Sequence, residues 1–335
     1  MTETPDTWMV SPSPHAHSGD SVTRIMLTVI LALVPALVAG VVCFGFNALR
    51  LTLVCVASCV LAEAAARRVM KRAADITDLS AVVTGLLLAF NLPPTLPAWM
   101  AIVGSVVSIV IAKQLYGGIG YNLFNPALIG RSFLLISFPV AMTTWAAPLQ
   151  GFCVPDAVTM ATPLGAWKTA WQAGAAPAGF FDTFPLRDLL LGNRPGCLGE
   201  TSVIALLLGG ILLLWRRCIT WHTPVFYLGT VAVFAAILHA IRPEQTLPVA
   251  YQVFSGGLIL GALFMATDMV TTPVTGRGMA IFGIGCGILT MLIRTWGGYP
   301  EGVSFSILIM NALTPLINRF TRPRVFGHRR KELPA

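Results

Sequence analysis

This sequence is short of charge. Of its 335 residues only 11% are Asp, Glu, Lys or Arg, while 56% are hydrophobic; soluble domains carry about 25% charged residues. With a mean hydropathy of +0.77, such a chain cannot cover a water-facing globule, which excludes a soluble enzyme or binding module and points to a membrane protein. Paired cysteines are missing too. Seven cysteines occur, none in C-x-x-C, so no iron–sulfur or zinc centre is expected on this chain alone. Cys55 and Cys59, four residues apart in an apolar run, read as small buried hydrophobes. There is no G-x-G-x-x-G phosphate loop, so a dinucleotide site is not expected either. His15 and His17 stand too isolated to suggest a metal site.

What is there is a succession of apolar runs. The first, 25–46, is longer than a signal-peptide core and lacks a cleavage site, so it reads as a retained helix. Further spans are expected at about 48–66, 79–92, 97–115 and 124–141, then at 200–215, 224–241, 250–268, 279–294 and 302–318. The third is short for a full crossing. The expected architecture is all-α and membrane-integral, with ten spans. An N-terminal segment 1–24 precedes a first set of five spans over 25–141. The long connection 142–199 leads to a second set over 200–318, and a basic tail 319–335 ends the chain.

The net charge of +8 is not spread as a nucleic-acid surface would be. Basic residues gather at the ends of apolar runs: Arg67, Arg68, Lys71 and Arg72; Arg216 and Arg217; and Arg319, Arg322, Arg324, Arg329, Arg330 and Lys331 in the tail. With ten spans all three groups fall on one side, which the positive-inside rule makes the cytoplasm; both termini then lie there and 142–199 faces outward. No nucleic-acid partner is expected. Nearby Glu63, Asp75 and Asp78 read as surface ion-pair partners of the first group.

A weak internal repeat supports the span count. Thr84-Gly85 through Asn91 and two prolines, an apolar run and Tyr116-Gly117-Gly118 correspond to Leu260-Gly261 through Asp268 and Pro273, an apolar run and Trp296-Gly297-Gly298. Asn125-Pro126 and then Asn311 to Pro315 follow in turn. Five spans per copy is an odd number, so the second copy is inverted, an arrangement that places sites at broken helices near the midplane. Asp268, ionisable at the end of a span and opposite Asn91 in the repeat, is a candidate for an ion pathway; exposure on the cytoplasmic side is its plain alternative. Asn122 and Asn125 follow a glycine-rich break and precede Pro126. Their amides either satisfy a broken helix or line a pocket.

The 142–199 connection holds Trp145, Trp167, Trp171, Phe180, Phe181 and Phe184, too many aromatics for a disordered loop. These rings would pack a bound group or form a lid on the bundle. Cys153 and Cys197 both fall within it and could pair if that face is oxidising. Near its middle stands Asp156-Ala157-Val158-Thr159-Met160-Ala161-Thr162. Thr162 has no evident base to make it a nucleophile, and Thr162-Pro163 by itself reads as a turn or helix start.

The pattern of Asp156, Thr159, Ala161 and Thr162 resembles the flavin attachment site of a family containing the D subunits of Rnf complexes and the related B subunits of sodium-pumping NADH:quinone reductases. Gly117-Gly118-Ile119-Gly120-Tyr121-Asn122-Leu123-Phe124-Asn125-Pro126-Ala127 and Ala266-Thr267-Asp268 are similar to the same family. The likeness runs from about residue 24 to 320; Met160 departs from it, where many members have glycine. It implies FMN esterified to Thr162 by a flavin transferase, and a non-covalent riboflavin near Asn122 and Asn125. It also implies a bacterial inner-membrane complex that couples electron transfer between ferredoxin and NAD+ to Na+ or H+ movement, with iron–sulfur centres and substrate sites on partner subunits. A passive channel or transporter on the same inverted repeat, with no redox role, is the alternative; a channel has no use for the acceptor motif. Reporter fusions within 142–199 are expected to report the periplasm, and a cytoplasmic signal there would overturn both the orientation and the modification.

Overall fold

A computed structural model describes residues 21–71, 77–148, 159–172, 179–299 and 301–323. Every regular element among them is helical, apart from one antiparallel bridge between Ala146 and Thr159. Helix α1, Val22–Phe44, starts where the Ser21 hydroxyl accepts the Arg24 N–H and stops at Gly45, whose φ of 65° few other residues tolerate. Helix α2, Phe46–Val69, returns at once. Three later helices are also long and apolar enough to cross a membrane: α11 (His222–Ile241), α14 (Gly276–Trp296) and α15 (Val303–Phe320). At 1.5 Å per residue, helices of about 20 residues match the hydrocarbon thickness. With five such helices, the chain is an all-helical, multi-pass membrane protein.

The other expected spans are shorter or broken. Helix α3, Ser80–Phe90, has 11 residues and ends at Asn91, whose Nδ2 donates back to the Leu87 carbonyl at 2.6 Å, with Pro93 and Pro94 just beyond. Helix α4, Ala98–Val106, runs on as a π-helix over Val107–Gln114. Helix α5, Pro126–Ser137, is followed after Phe138 by α6, Pro139–Thr143. Helix α10, Val203–Trp215, comes after a 3₁₀ turn at Leu198–Glu200. The run expected at 250–268 is α12 (Val249–Phe254), a break, and α13 (Leu258–Leu260), which continues as a π-helix over Gly261–Met265.

Between α6 and α10 the chain forms α7 (Pro163–Gln172), α8 (Phe180–Thr183) and α9 (Leu186–Leu191). Phe180, Phe184, Leu164 and Leu189 pack with Leu247 and Tyr251 into a small core of their own, against which Trp167 leans. The Trp167 Nε1–H donates to the Gln245 carbonyl at 3.1 Å and the Tyr251 hydroxyl to the Phe184 carbonyl at 3.0 Å. Trp167, Phe180 and Phe184 of the connection therefore form a lid against Leu247 and Tyr251. Of the expected Cys153–Cys197 pair, Cys153 lies outside the described residues.

Small residues set the helix spacing, as they do where lipid leaves no hydrophobic drive between helices. A Cβ on Gly85 of α3 would lie 2.7 Å from the Val56 Cα of α2, and one on Gly130 of α5 would lie 2.7 Å from the Gly104 carbonyl of α4. Helix α14 sets Gly283 and Gly287 against α11 in the same way. One continuous apolar core, including Leu33, Leu88, Leu128, Leu206, Phe264 and Phe282, joins both sets of helices. Cys55 and Cys59 lie within the packed helices as expected.

Glu63 departs from expectation: it is buried, not a surface partner. Its side chain is 0% exposed, and Lys113, at 3%, donates to both its oxygens at 3.0 and 2.9 Å and also to the Ser80 hydroxyl. Arg67 and the Gln114 amide also reach Glu63, at 2.7 and 2.8 Å. Inside an apolar bundle a carboxylate is stable only with such partners. Arg67 extends the cluster to Asp78. Burial pushes the Asp78 carboxyl up, but the Ser80 hydrogen bonds, Lys113 and Arg67 outweigh it and hold it below the usual carboxylate value. Lys113→Met is expected to destabilise the protein, but by less than the roughly 3–5 kcal/mol of a stranded buried charge, because Arg67 and Gln114 remain on Glu63. Adding Glu63→Leu is expected to recover most of that loss. Thermal midpoints in detergent measure both, and an unchanged midpoint for Lys113→Met would contradict the dry cluster.

Candidate functional site

Thr162 stands at the N-terminus of α7. Its hydroxyl accepts the Gly165 N–H at 3.2 Å and its carbonyl accepts the Ala166 N–H at 2.8 Å, so it caps the helix as its place before Pro163 suggests. Gly165 keeps the space beside that hydroxyl open, since a Cβ there would come within 3.0 Å of it. The preceding Thr159, Met160 and Ala161 are exposed, whereas Thr162 is 5% exposed. The segment is anchored by the bridge to Ala146 and by the Met160 N–H, which donates to the Trp145 carbonyl at 3.0 Å. Asp156 lies outside the described residues. Lys168 of α7 points away to the carbonyls of Arg294 and Gly297, and burial pushes its ammonium below the ordinary value.

Thr162, Thr159 and Ala161 line a cavity of about 470 Å³, within the usual size of a small-molecule site. Its other walls include Trp145, Tyr299 and Phe305, and Arg131 and Glu301 are its charged residues. Of the connection's aromatics named from sequence, Trp145 lines this cavity; the rest belong to the lid or lie elsewhere. Arg131 pairs with Glu301 and also donates to the Ser304 hydroxyl and, at 3.3 Å, to the Asn91 side-chain oxygen. Its Nε finds no partner among the described residues. A guanidinium in the cavity wall and a helix N-terminus suit a phosphorylated, carbonyl-bearing ring such as FMN. With neither His nor Lys in the lining, Thr162 fits an acceptor modified by another enzyme better than a nucleophile working alone. The residues fit the group.

A second cavity, of about 390 Å³, brings Asn122, Asn125 and Asp268 together. Its walls are mostly apolar, with Met26, Val29, Leu87 and Phe264, and Lys113 and Thr84 add polar groups. Gly117, Gly118 and Gly120 precede it with φ of 128°, 100° and 89°, a course that side-chain-bearing residues would strain. The two asparagines differ in what they have left to offer. Asn125 caps α5, its side-chain oxygen accepting the N–H groups of Ala127 and Leu128 and its amide reaching the Met265 carbonyl at 3.4 Å. Asn122 donates to the Phe124 carbonyl at 3.2 Å, with its side-chain oxygen free of such a capping role. Asp268 is half-buried and bound locally, accepting from Thr271 Oγ1 at 3.2 Å and from the Val270 N–H at 3.5 Å. Lys113 has already given its three N–H groups to Glu63 and Ser80. Asn122 is therefore the stronger ligand candidate. Asn125 is largely used by the break itself, the structural reading left open from sequence.

Arg131, Glu301 and Lys113 were not singled out from sequence. Lys113 and Arg131 do interrupt expected spans, and the rule applied to Asp268, that an ionisable group at membrane depth has a task, identifies them equally. Glu301 carries no such signal, because it sits in a polar connection next to a glycine.

The family model described as the NQR2, RnfD, RnfE family matches residues 9–327. A protein of Acetobacterium woodii named as the D subunit of a Na+-translocating ferredoxin:NAD+ oxidoreductase complex is 47% identical over 95% of both chains. One of Clostridium ljungdahlii, named as the D subunit of a proton-translocating complex of the same kind, is 46% identical over 96% of both. A third, from Stutzerimonas stutzeri and named as the D subunit of an ion-translocating oxidoreductase complex, is 44% identical over 94% of both. With a family match spanning nearly its whole length and an acceptor-like threonine facing a cavity of cofactor size, this chain belongs to the NQR2, RnfD, RnfE family.

Proposed function

We propose that the chain is a membrane electron-transfer subunit of an ion-translocating ferredoxin:NAD+ oxidoreductase complex, carrying FMN as a phosphoester on Thr162. The observation that carries the flavin is the Thr162 hydroxyl at the N-terminus of α7, facing a cavity of about 470 Å³. When bound, FMN supplies one- and two-electron chemistry, and the protein supplies position and electrostatics. The positive end of the α7 dipole would stabilise the phosphate. Arg131 would place positive charge in the wall beside the ring, and Trp145, Tyr299 and Phe305 would exclude water around it. Tethering replaces affinity with a fixed local concentration, so the flavin is not lost on dilution.

Partner subunits hold the ferredoxin and NAD sites and the iron–sulfur centres, and a flavin transferase matures the chain. The reading includes ten crossings in two inverted five-helix sets. Packing supports it: α2 meets α4 as α11 meets α14, α4 meets α5 as α14 meets α15, and the corresponding members α1 and α10, and α5 and α15, meet each other. The basic groups set both termini in the cytoplasm and the Thr162 segment in the periplasm of a bacterial inner membrane. The cavity with Asn122 is the proposed riboflavin site, and Asp268 at its edge the candidate for the ion pathway. The ion is Na+ or H+; relatives named for each are about equally similar to this chain.

Flavin fluorescence of the denatured chain in a gel, from a host that holds the transferase, followed by peptide mass analysis across Thr162, tests the first claim. A fluorescent band and an FMN-sized adduct on Thr162 are expected, with a dark band for Thr162→Ala. That variant also loses a helix cap worth about 1 kcal/mol, so chain abundance is the control. A dark band for the unmodified sequence from its native host would remove the flavin and leave the family. Asp268→Asn is expected to lower ion pumping more than flavin content; unchanged pumping would return Asp268 to its local turn.

A further inference from the structure

Glu200 and Glu301 reach one buried point from opposite ends of the chain's second half. Glu200 closes the 3₁₀ turn before α10, and Glu301 stands between α14 and α15. One ligand atom from each, with the Cys197 Sγ, all lie within 4.8 Å of one another. The three residues are 4%, 8% and 2% exposed. Neither Glu200 Oε1 nor Glu301 Oε1 has a hydrogen-bond partner among the described residues. The Cys197 thiol donates elsewhere, to the Asn91 carbonyl at 3.3 Å.

Three guanidinium groups surround the pair, and two of them are spent on backbone. Arg131 of α5 binds Glu301 directly. Arg194 gives Nε and Nη2 to the Glu200 carbonyl at 3.1 and 2.6 Å, and its Nη1 has no partner among the described residues. Arg294 of α14 gives Nε to the Glu301 carbonyl at 3.1 Å and its other donors to the carbonyls of Gln252 and Ser255. One carboxylate is thus neutralised by contact and the other is not. Two acceptor-only groups this close, away from water, repel unless a proton lies between them.

We propose that Glu200 and Glu301 share one proton, forming a proton-binding site whose outer member opens into the cavity beside Thr162. In the protonated state the O–H of one carboxyl donates to the other carboxylate. On release the proton leaves as H+ along Glu301, which lines that cavity. Arg194, held on the Glu200 carbonyl with Nη1 unspent, supplies positive charge near the second negative charge. No electron moves in this step, and it needs no flavin. A divalent cation bound by the same three ligand atoms would face the surrounding guanidinium charges at short range, which disfavours it.

Infrared spectra of the intact complex across the neutral pH range test the proposal. The wild type is expected to show a protonated-carboxyl carbonyl band that shifts in heavy water and is lost as pH rises. Glu200→Gln is expected to lose that band; its amide still offers a donor to Glu301, so the fold survives. Glu200→Asp, which keeps an acid, is expected to shift the midpoint of loss. If Glu200→Gln fails to assemble, the Glu200→Asp shift decides. Thr162→Ala is expected to keep the band, so a failed flavin assignment and a failed carboxyl pair are told apart. Spectra of Glu200→Gln and Glu200→Asp identical to wild type, a band lost with the flavin, or metal that leaves the complex on Cys197→Ser would each overturn the proposal.

Discussion

Broken helices inside an apolar bundle expose backbone groups that lipid cannot satisfy, and this structure depends on side chains that answer them. Arg294 takes three carbonyls at the loose ends near α12 and α15. Arg194 takes the Glu200 carbonyl, Lys168 those of Arg294 and Gly297, and Asn91 the last turn of α3. Asn125 satisfies the first N–H groups of α5. Apart from Lys168, which is half-exposed on α7, each of these groups is buried, so each must be near saturation to be tolerated. Among the described residues, saturation stops at Arg131 Nε, Arg194 Nη1 and the two glutamate oxygens, and also at Asn311, His222 and three serine hydroxyls elsewhere in the bundle.

The charged part of that unspent capacity lies in or next to the wall of the cavity that has Thr162 in its lining, at the ion pair of Arg131 and Glu301. The other, with Asn122 and Asp268, has apolar walls and polar groups that are mostly engaged. Asn91 belongs to the seam between them: it accepts from Arg131 with its side chain, lends its carbonyl to Cys197 and touches Met265, whose carbonyl Asn125 binds. A change of charge on one side therefore has a short hydrogen-bonded route to the other.

Much of this was legible in the residues. Long apolar runs and proline- and glycine-marked breaks placed the helices, and α3 is as short as its 79–92 run suggested. Thr162 as a helix start and Cys55 and Cys59 as buried hydrophobes follow from local rules alone. What was not legible depends on partners distant in the chain. Glu63 looks like a surface residue beside Arg67 until Lys113, fifty residues on, is brought against it. Glu301 gains its role from Arg131, and Glu200 gains its own from Glu301. The aromatics of the connection read equally well as ring packing or as a lid, because only tertiary contacts with Leu247 and Tyr251 decide between the two.

The π-helical stretches can be considered as counts of residues instead of shapes. Their wider bonds, such as the Leu115 N–H to the Val110 carbonyl at 3.0 Å and the Ala266 N–H to the Gly261 carbonyl at 2.7 Å, accommodate more residues per turn than an α-helix does. A π-helix turns less per residue than an α-helix, so one residue fewer between 107 and 114 is absorbed by a return to α geometry, with the two flanks keeping their facing. A plain α-helix such as α5 has no such slack, and one residue removed from its middle turns one flank by roughly 100° against the other. The π-helical segments are thus where this bundle tolerates a change of length by one residue.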